Sequence, residues 1–183
     1  MLFYSSEIFK SGGSSPKSAL YATIALGFCA SLGAVLGSLL IKYLTRRGVW
    51  ILGQITCAVF LSGISLGFLV KQPVLQISST LIFMACFTST LGPIGWSYIA
   101  EILQINQLGI ATSFHWIVTG VISVVIPYML TYEPIGGKFT FLFFAIPTLL
   151  GILFSVFIMK ETKERNPHDL KRLFATSSNV SIK

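Results

Sequence analysis

The stretch SALYATIALGFCASLGAVLGSLLI, residues 18–41, contains no formal charge and reads as one apolar segment. Four more charge-free windows follow along the chain, at residues 48–70, 72–100, 102–132 and 139–159. About 20 predominantly apolar residues are needed to cross the hydrocarbon core of a bilayer as a helix, and each window meets that length. The sequence therefore predicts a membrane protein with five complete crossings.

The composition excludes an ordinary soluble domain. Of the 183 residues, 54% are hydrophobic and 10% are charged, whereas soluble domains carry about 25% charged residues. The crossings are predicted to be helices, because an open strand leaves its backbone polar groups unpaired in lipid and the alternation of a barrel is missing. The net charge of +7 comes from basic residues in short connections and the tail. It indicates membrane topology and argues against a nucleic-acid-binding face.

Three regions are predicted along the chain. Residues 1–13 form the end of a truncated transmembrane helix and an outer loop, residues 14–160 form a five-span domain, and residues 161–183 form a cytoplasmic tail. The cytoplasmic assignment follows from charge, because it places nine Lys and Arg residues inside and four outside. The spans are expected at about 18–41, 49–70, 74–101, 108–130 and 139–159.

Small residues inside the spans are interpreted as packing residues. Gly33 and Gly37 form a GxxxG step, which predicts a close contact with a helix that the sequence does not identify. Cys29, Cys57 and Cys86 lie singly in the spans, without the spacing of a disulfide framework or a metal site. The sequence also has no glycine-rich phosphate loop and no paired nucleophile and base. We therefore expect no metal, no cofactor and no enzyme activity.

The third span contains a helix-breaking run, Leu91–Trp96. Pro93 removes a backbone hydrogen bond, and Gly92 and Gly95 loosen the neighbouring turns, so a kink or an unwound turn is expected there. Irregular backbone at membrane depth persists only where it is buried in protein or lines a cavity, which makes this run a pointer to a substrate site. Trp96 follows directly and is interpreted either as part of a cavity wall or as a packing or interfacial residue.

Two further groups of polar side chains stand out in the spans. His115 lies within a predicted span and is followed by Trp116. A polar group at that depth is either a functional residue or a packing residue whose hydrogen bonds are satisfied. Glu101 lies at the predicted cytoplasmic end of the third span, on the same side as Arg46 and Arg47. A carboxylate and a guanidinium can pair bidentately at such a boundary and thereby favour one conformation, although both could also be anchors that face water.

Several motifs occur in one order and together resemble a known family. They are Gly92–Trp96 with Tyr98 behind it, Glu101-Ile102, His115-Trp116, and Glu161–Arg165 followed by Asp169-Leu170. This series resembles the C-terminal half of a sugar porter of the major facilitator superfamily. The first residues, Phe3–Phe9, are similar to the outer end of helix 7 of that family. The resemblance thus covers the end of helix 7 through helix 12.

The sequence departs from the family's pattern at informative positions. Gly95 replaces the second proline of the helix-10 run, and His115 stands where Asn or Gln is usual. Thr88 occupies a position at which many hexose transporters have Glu. A neutral imidazole can both donate to and accept from a hydroxyl, so sugar binding by His115 is compatible with its chemistry.

The resemblance implies a fold, a function and a set of residues. The fold is an all-α transmembrane helix bundle with five full helices and a helix stub, and the function is transport of a monosaccharide by alternating access. The implied sugar-binding residues are Phe87, Thr88, Gly92, Trp96, His115 and Trp116. The implied helix break comprises Gly92, Pro93 and Gly95. The implied conformational salt-bridge network comprises Arg46, Arg47, Glu101, Glu161 and Arg165.

Alternating access needs two six-helix halves, and this sequence resembles one. Two alternatives therefore remain: a non-transporting fragment, and a half-transporter that acts only with a partner chain. The expected partners are a small sugar, the lipid bilayer, and a missing N-terminal half or a partner chain, with no nucleic acid. The plasma membrane is the family's default location, with the C-terminus in the cytoplasm.

Overall fold

The computed structural model describes residues 4–132 and 136–163. All regular structure in these residues is helical. The helices are α1 (Ser5–Ser11), α2 (Pro16–Tyr43), α3 (Arg46–Leu69), α4 (Pro73–Ser89), α5 (Leu91–Ile102), α6 (Ile105–Thr131) and α7 (Gly136–Phe157).

Five helical segments are long and apolar enough to cross a membrane, with α4 and α5 together forming the third. α1 is the helix stub. The predicted all-α transmembrane bundle of five full helices and a stub is therefore confirmed.

Turn residues with capping side chains begin the first two long helices. Ser15 Oγ accepts a hydrogen bond from the backbone N–H of Ser18 at 3.2 Å, and Pro16 occupies the first helical position. Thr45 Oγ1 accepts from the N–H of Gly48 at 3.2 Å at the start of α3. Both contacts satisfy backbone donors that have no partner inside the helix. Only Leu44 and Thr45 separate α2 from α3.

The helix that packs on the GxxxG step is α4. A Cβ added to Gly37 would lie 2.7 Å from the carbonyl oxygen of Ser89, and one added to Gly33 would lie 2.6 Å from that of Ala85. Both distances are too short for a side chain, so the two glycines let the α2 and α4 backbones meet directly. Such close approach is how helices associate in lipid, where no hydrophobic effect drives them together.

The stub α1 is bound to the bundle by buried residues. Ile8 and Phe9 are almost completely buried, and the buried side chain of Gln76 on α4 donates from Nε2 to the Ile8 carbonyl at 2.7 Å. The hydroxyl of Ser5 donates to Thr23 on α2 at 3.2 Å. The stub is therefore held by both α2 and α4.

The main apolar core lies where α3 and α7 pack together. Leu61 and Ile64 from α3 meet Phe141 and Ala145 from α7, and Ile8 of the stub joins them. By contrast, no residue of α6, Ile105–Thr131, is buried. The bundle thus consists of a packed block of helices with α6 resting at its side.

The third crossing is interrupted at Thr90, upstream of the predicted break at Gly92, Pro93 and Gly95. Thr90 has φ −122° and ψ −77°, and it separates α4 from α5, whereas Gly92 to Gly95 lie inside α5. The physical reason is that a proline disturbs the turn before it, because it has no N–H for the carbonyl four residues earlier and its ring crowds that carbonyl. For Pro93 that carbonyl belongs to Ser89, next to the irregular residue.

Candidate functional site

A row of aromatic rings connects α5 with α6. The ring centroids of Trp96 and His115 are 5.1 Å apart with an interplanar angle of 78°. His115 meets Trp116 at 5.7 Å and 77°, so the imidazole makes edge-to-face contacts with both indoles. Trp96 and Trp116 remain 42% and 63% exposed. These three residues form an accessible wall of π faces with one imidazole in it, and we call it the aromatic wall.

Phe87 lies apart from the aromatic wall, on a separate cavity inside the bundle. Its ring stacks on Phe83 with centroids 6.1 Å apart. The cavity has a volume of about 510 Å³ and is bordered by α1, α3, α4, α5, α6 and α7. Its lining is mostly apolar, and Gln54 and Thr148 contribute the polar side chains. Neither Trp96 nor His115 lines it.

Thr88 also lies apart from the wall, whereas Gly92 is on α5, one helical turn before Trp96. The Thr88 hydroxyl donates to the Met84 carbonyl at 2.9 Å and lies against Gly33 of α2, where an added Cβ would collide with it. A Cβ added to Gly92 would be at ordinary contact distance, 3.5 Å, from the Phe87 carbonyl oxygen. The structure thus brings together Trp96, His115 and Trp116, with Gly92 one helical turn before Trp96 on α5, whereas Phe87 and Thr88 face other parts of the bundle. The sugar-binding assignment of all six residues stays a prediction.

Gln54 is a polar residue that the sequence analysis overlooked. It is 8% exposed inside the crossing formed by α3, and its Oε1 accepts a hydrogen bond from Ser155 of α7 at 2.9 Å. It also lines the inner cavity. A glutamine in the middle of an apolar window is a functional candidate by the same reasoning that singled out His115. That signal was present in the sequence.

The predicted cytoplasmic ends hold a network of charged groups. Arg46 Nη1 forms an ion pair with Glu101 Oε1, and both side chains are partly buried. This pair joins the start of α3 to the end of α5. The guanidinium of Arg47 donates instead to the backbone carbonyl of Val156, near the end of α7. Arg165 lies outside the described residues.

Glu161 binds the start of α3 through backbone groups and not through a guanidinium. Its Oε1 accepts from the N–H of Arg46 at 3.1 Å, and its Oε2 accepts from the N–H of Arg47 at 3.0 Å. Burial raises the pKa of this carboxyl, but the N–H groups of Lys163, Arg47, Arg46 and Thr162 outweigh it and hold the pKa below its ordinary value. The carboxylate therefore sits at the positive end of the α3 dipole.

Lys163 completes the network from the same segment. Its Nζ donates to the carbonyl oxygens of Lys42 at 2.9 Å and of Leu44 at 3.1 Å, where α2 ends. A lysine at a helix C-terminus satisfies carbonyls that lack a partner and complements the dipole. We call residues 159–163 the strap, because Glu161 and Lys163 cap both sides of the turn between α2 and α3.

A metal site is not formed by the described residues. Within residues 4–132 and 136–163, no group of three His, Cys, Asp or Glu side chains is placed to hold a metal ion. The indoles and the imidazole of the aromatic wall can stack on a ligand and form hydrogen bonds with it.

Comparison with known proteins identifies the family. The model of the family described as "Sugar (and other) transporter" matches residues 1–174 of this chain. The chain belongs to that family. The predicted resemblance to sugar porters of the major facilitator superfamily is confirmed, and the family consists of transporters, which agrees with the expectation that this is not an enzyme.

Individual relatives match nearly the whole chain but cover little of their own length. The arabinose-proton symporter of Bacillus subtilis is 32% identical over 178 residues, which are 94% of this chain and 38% of that protein. The facilitated glucose transporter member 2 of Sus scrofa is 27% identical over 188 residues, covering 97% of this chain and 35% of the relative. The chain thus spans less than half the length of these relatives.

Solved structures give the same fold. The proton:xylose symporter XylE bound to 6-bromo-6-deoxy-D-glucose is similar with a TM-score of 0.82 and 25% identity, over 94% of this chain and 38% of that one. A double-tryptophan mutant of XylE gives a TM-score of 0.84 at 24% identity, over 94% and 38%. This chain is therefore folded like part of a major facilitator superfamily transporter.

Proposed function

We propose that this chain forms the C-terminal half of a transporter that moves a monosaccharide across a membrane by alternating access. Family membership supports sugar transport, and the observation that carries the proposal is the aromatic wall. Trp96 of the wall lies on α5, shortly after the interruption at Thr90, and interrupted helices at membrane depth are where transporters bind their substrates. The relatives named above include symporters and facilitators for arabinose, glucose and xylose.

The wall offers the contacts that a sugar needs. The indole faces of Trp96 and Trp116 would stack on the C–H face of the sugar ring, and their N–H groups would donate to hydroxyls. His115 would both donate to and accept from hydroxyls when its imidazole is neutral. Phe87 and Thr88 complete the proposed set only if α4 and α5 change their relative orientation in the working protein.

The exposure of the wall supports a second half. His115 is exposed near the middle of α6, and a polar group at that depth normally faces protein or a water-filled cavity. We propose that the wall is covered by a second helical half, which either belongs to a longer form of this chain or comes from a partner chain. The first arrangement is a complete porter, and the second is a half-transporter that requires its partner.

The charged network is proposed to hold one conformation. The ion pair of Arg46 with Glu101 and the strap join α2, α3, α5 and α7 at one end of the bundle. Breaking such contacts in one of two conformations shifts the balance between them. In this proposal the protein lies in the plasma membrane, and that end of the bundle faces the cytoplasm. Arg165 belongs to the proposed network.

The first experiment measures the size of the native protein with an antibody against residues 164–183. A band at more than about twice the calculated 20.0 kDa would identify one half of a full porter, since twelve helices are needed. A band at the calculated mass would favour the half-transporter, and transport by this polypeptide unaided would be contradicted.

The second experiment tests the sugar site in the assembly that the first one identifies. Trp96→Leu and His115→Ala should each weaken sugar affinity about fivefold, because one stacking or hydrogen-bonding contact contributes roughly 1 kcal/mol. The measurement is the KM for uptake of radiolabelled xylose, arabinose and glucose into proteoliposomes. Val121→Leu changes an exposed apolar residue on α6, the helix that carries His115, and it should leave the KM unchanged. Parental KM values in both variants would contradict the site.

A further inference from the structure

One face of α3 contacts α5 along its whole length. Arg46, Trp50 and Gly53 are spaced four and three residues apart, so they lie on the same face of α3. Gly53 approaches Thr90, whose Cβ would be 2.7 Å from a Cβ added to the glycine. Arg46 forms its ion pair with Glu101 at the opposite end of α5. Half-helix α5 is thus held against α3 at both ends.

The middle contact of this stripe is made by Trp50 and Gly95. A Cβ added to Gly95 would lie 3.1 Å from Cζ3 and 3.4 Å from Cη2 of the Trp50 indole. The indole therefore rests almost directly on the α5 backbone, and this is possible because Gly95 has no side chain. Even a methyl group at this position would push the ring or the helix by a few tenths of an ångström.

The residue after Gly95 is Trp96, which contacts His115 on α6. α5 therefore lies between Trp50 of α3 and His115 of α6. Its upstream end is interrupted at Thr90. Because α5 is not continuous with α4, its sideways position is set by what it rests on. The Trp50 ring is the bulky group at the level of Trp96.

We propose that Trp50 is a positioning residue that sets the distance between Trp96 and His115 and thereby the sugar affinity of the aromatic wall. The part concerning affinity rests on the proposed sugar-transport function. Trp50 does not touch the wall. It acts through Gly95 and the α5 backbone. Gly95 occupies the position of the second proline in the sugar-porter pattern, and in this chain the Trp50 indole packs against it.

The chain contains three tryptophans, Trp50, Trp96 and Trp116, so each can be observed separately. The 183-residue chain is labelled with 5-fluorotryptophan, reconstituted in lipid nanodiscs and studied by 19F NMR, with Trp→Phe variants assigning the three resonances. Gly95→Ala should shift the resonances of both Trp50 and Trp96. Gly27→Ala is the matched control, because a Cβ there meets nothing within 4 Å, and it should shift neither.

A second pair of variants distinguishes positioning from simple destabilisation. Trp50→Phe removes the atoms that crowd Gly95, so it should also move the Trp96 resonance, and the double variant Gly95→Ala with Trp50→Phe should return it towards its original position. Unfolding temperatures are recorded alongside, and we expect the resonance to move in Trp50→Phe without a matching loss of stability. A Trp96 resonance that stays in place in both single variants, or moves equally in Gly27→Ala, would overturn the proposal.

Titration with D-xylose then separates this proposal from the proposed function. If the parent protein binds xylose, Gly95→Ala should need a several-fold higher concentration for half of the spectral change, and the double variant should recover part of the loss. Unchanged affinity in Gly95→Ala would refute the link to affinity. If xylose, arabinose and glucose leave all three resonances of the parent unchanged, sugar binding by this chain without a second half is contradicted, while the sugar-free spectra still decide whether Trp50 positions Trp96.

Discussion

At the scale of single residues, one carboxylate performs a task that its sequence motif does not reveal. Glu161 was expected to pair with arginine side chains, but it binds the backbone N–H groups of Arg46 and Arg47. Its negative charge faces the positive end of the α3 dipole, which is a stabilising arrangement. The contact also fixes the strap to the start of α3.

Glu161→Gln should lower the stability of the purified chain by about 1 kcal/mol or less, since a charge at a helix terminus contributes that much. The pKa of Glu161 lies below its ordinary value. Its contribution is therefore complete above about pH 4.5, the value in an unfolded chain, and is lost as the pH falls through the lowered pKa. Thermal unfolding in detergent at a series of pH values measures this difference.

The difference in unfolding temperature between parent and Glu161→Gln should be largest near pH 7 and should vanish in acid. The exposed carboxylate of Glu7 provides the control, and Glu7→Gln should change the unfolding temperature much less at neutral pH. If the difference in unfolding temperature between parent and Glu161→Gln grew as the pH was lowered, the expected pH dependence would be contradicted.

At the scale of elements, the pairing of α2 with α4 depends on the glycines that let their backbones meet. α2 carries another glycine, Gly27, on a side that contacts nothing, so one helix contains both a packed and an open position. The contact is made next to the interruption at Thr90. It therefore supports α4 at the point where the third crossing loses its regular hydrogen bonds.

Gly37→Ala should destabilise the bundle by roughly 1–3 kcal/mol, because the added methyl group collides with backbone and not with a flexible side chain. Gly27→Ala should be neutral or stabilising by up to about 1 kcal/mol, as expected for a helical glycine with space around it. Unfolding in mixed detergent, followed by circular dichroism, measures both. Equal stabilities for the two variants would contradict the backbone contact of α2 with α4.

The elements were predictable from sequence to the extent that lipid imposes them. Hydrocarbon excludes charges, so charge-free windows located the five crossings. The exact interruption was not predictable, because Pro93 acts on the turn before it. The orientation of Thr88 also escaped prediction, since a span that is apolar on all sides gives no indication of which face packs inside. Backbone N–H donors carry no sequence signature, so the sequence did not indicate that Glu161 would bind those of Arg46 and Arg47.

At the scale of the whole molecule, the bundle is asymmetric. α3 and α7 share the main apolar core with α1, and α2 packs against α4, whereas no residue of α6 is buried. The aromatic wall lies on this loosely held side, with His115 exposed. An imidazole and two large indoles on an uncovered face favour association with further transmembrane helices.

Reconstituted alone, the chain should therefore associate with itself or with added helical partners, and His115→Leu should weaken that association several-fold by removing the exposed polar group. Chemical crosslinking in vesicles over a range of protein-to-lipid ratios measures it. Val121→Leu serves as the matched change on the same helix and should have no effect. Association that is insensitive to His115→Leu would place the contact surface elsewhere.

The strap also has a consequence for the order in which this protein is synthesised. The turn between α2 and α3 leaves the ribosome before the side chains that cap it, because Glu161 and Lys163 follow more than a hundred residues later. Until then the N–H groups of Arg46 and Arg47 and the carbonyls of Lys42 and Leu44 lack these partners. A nascent chain that stops before the strap therefore keeps this turn without the contacts of Glu161 and Lys163.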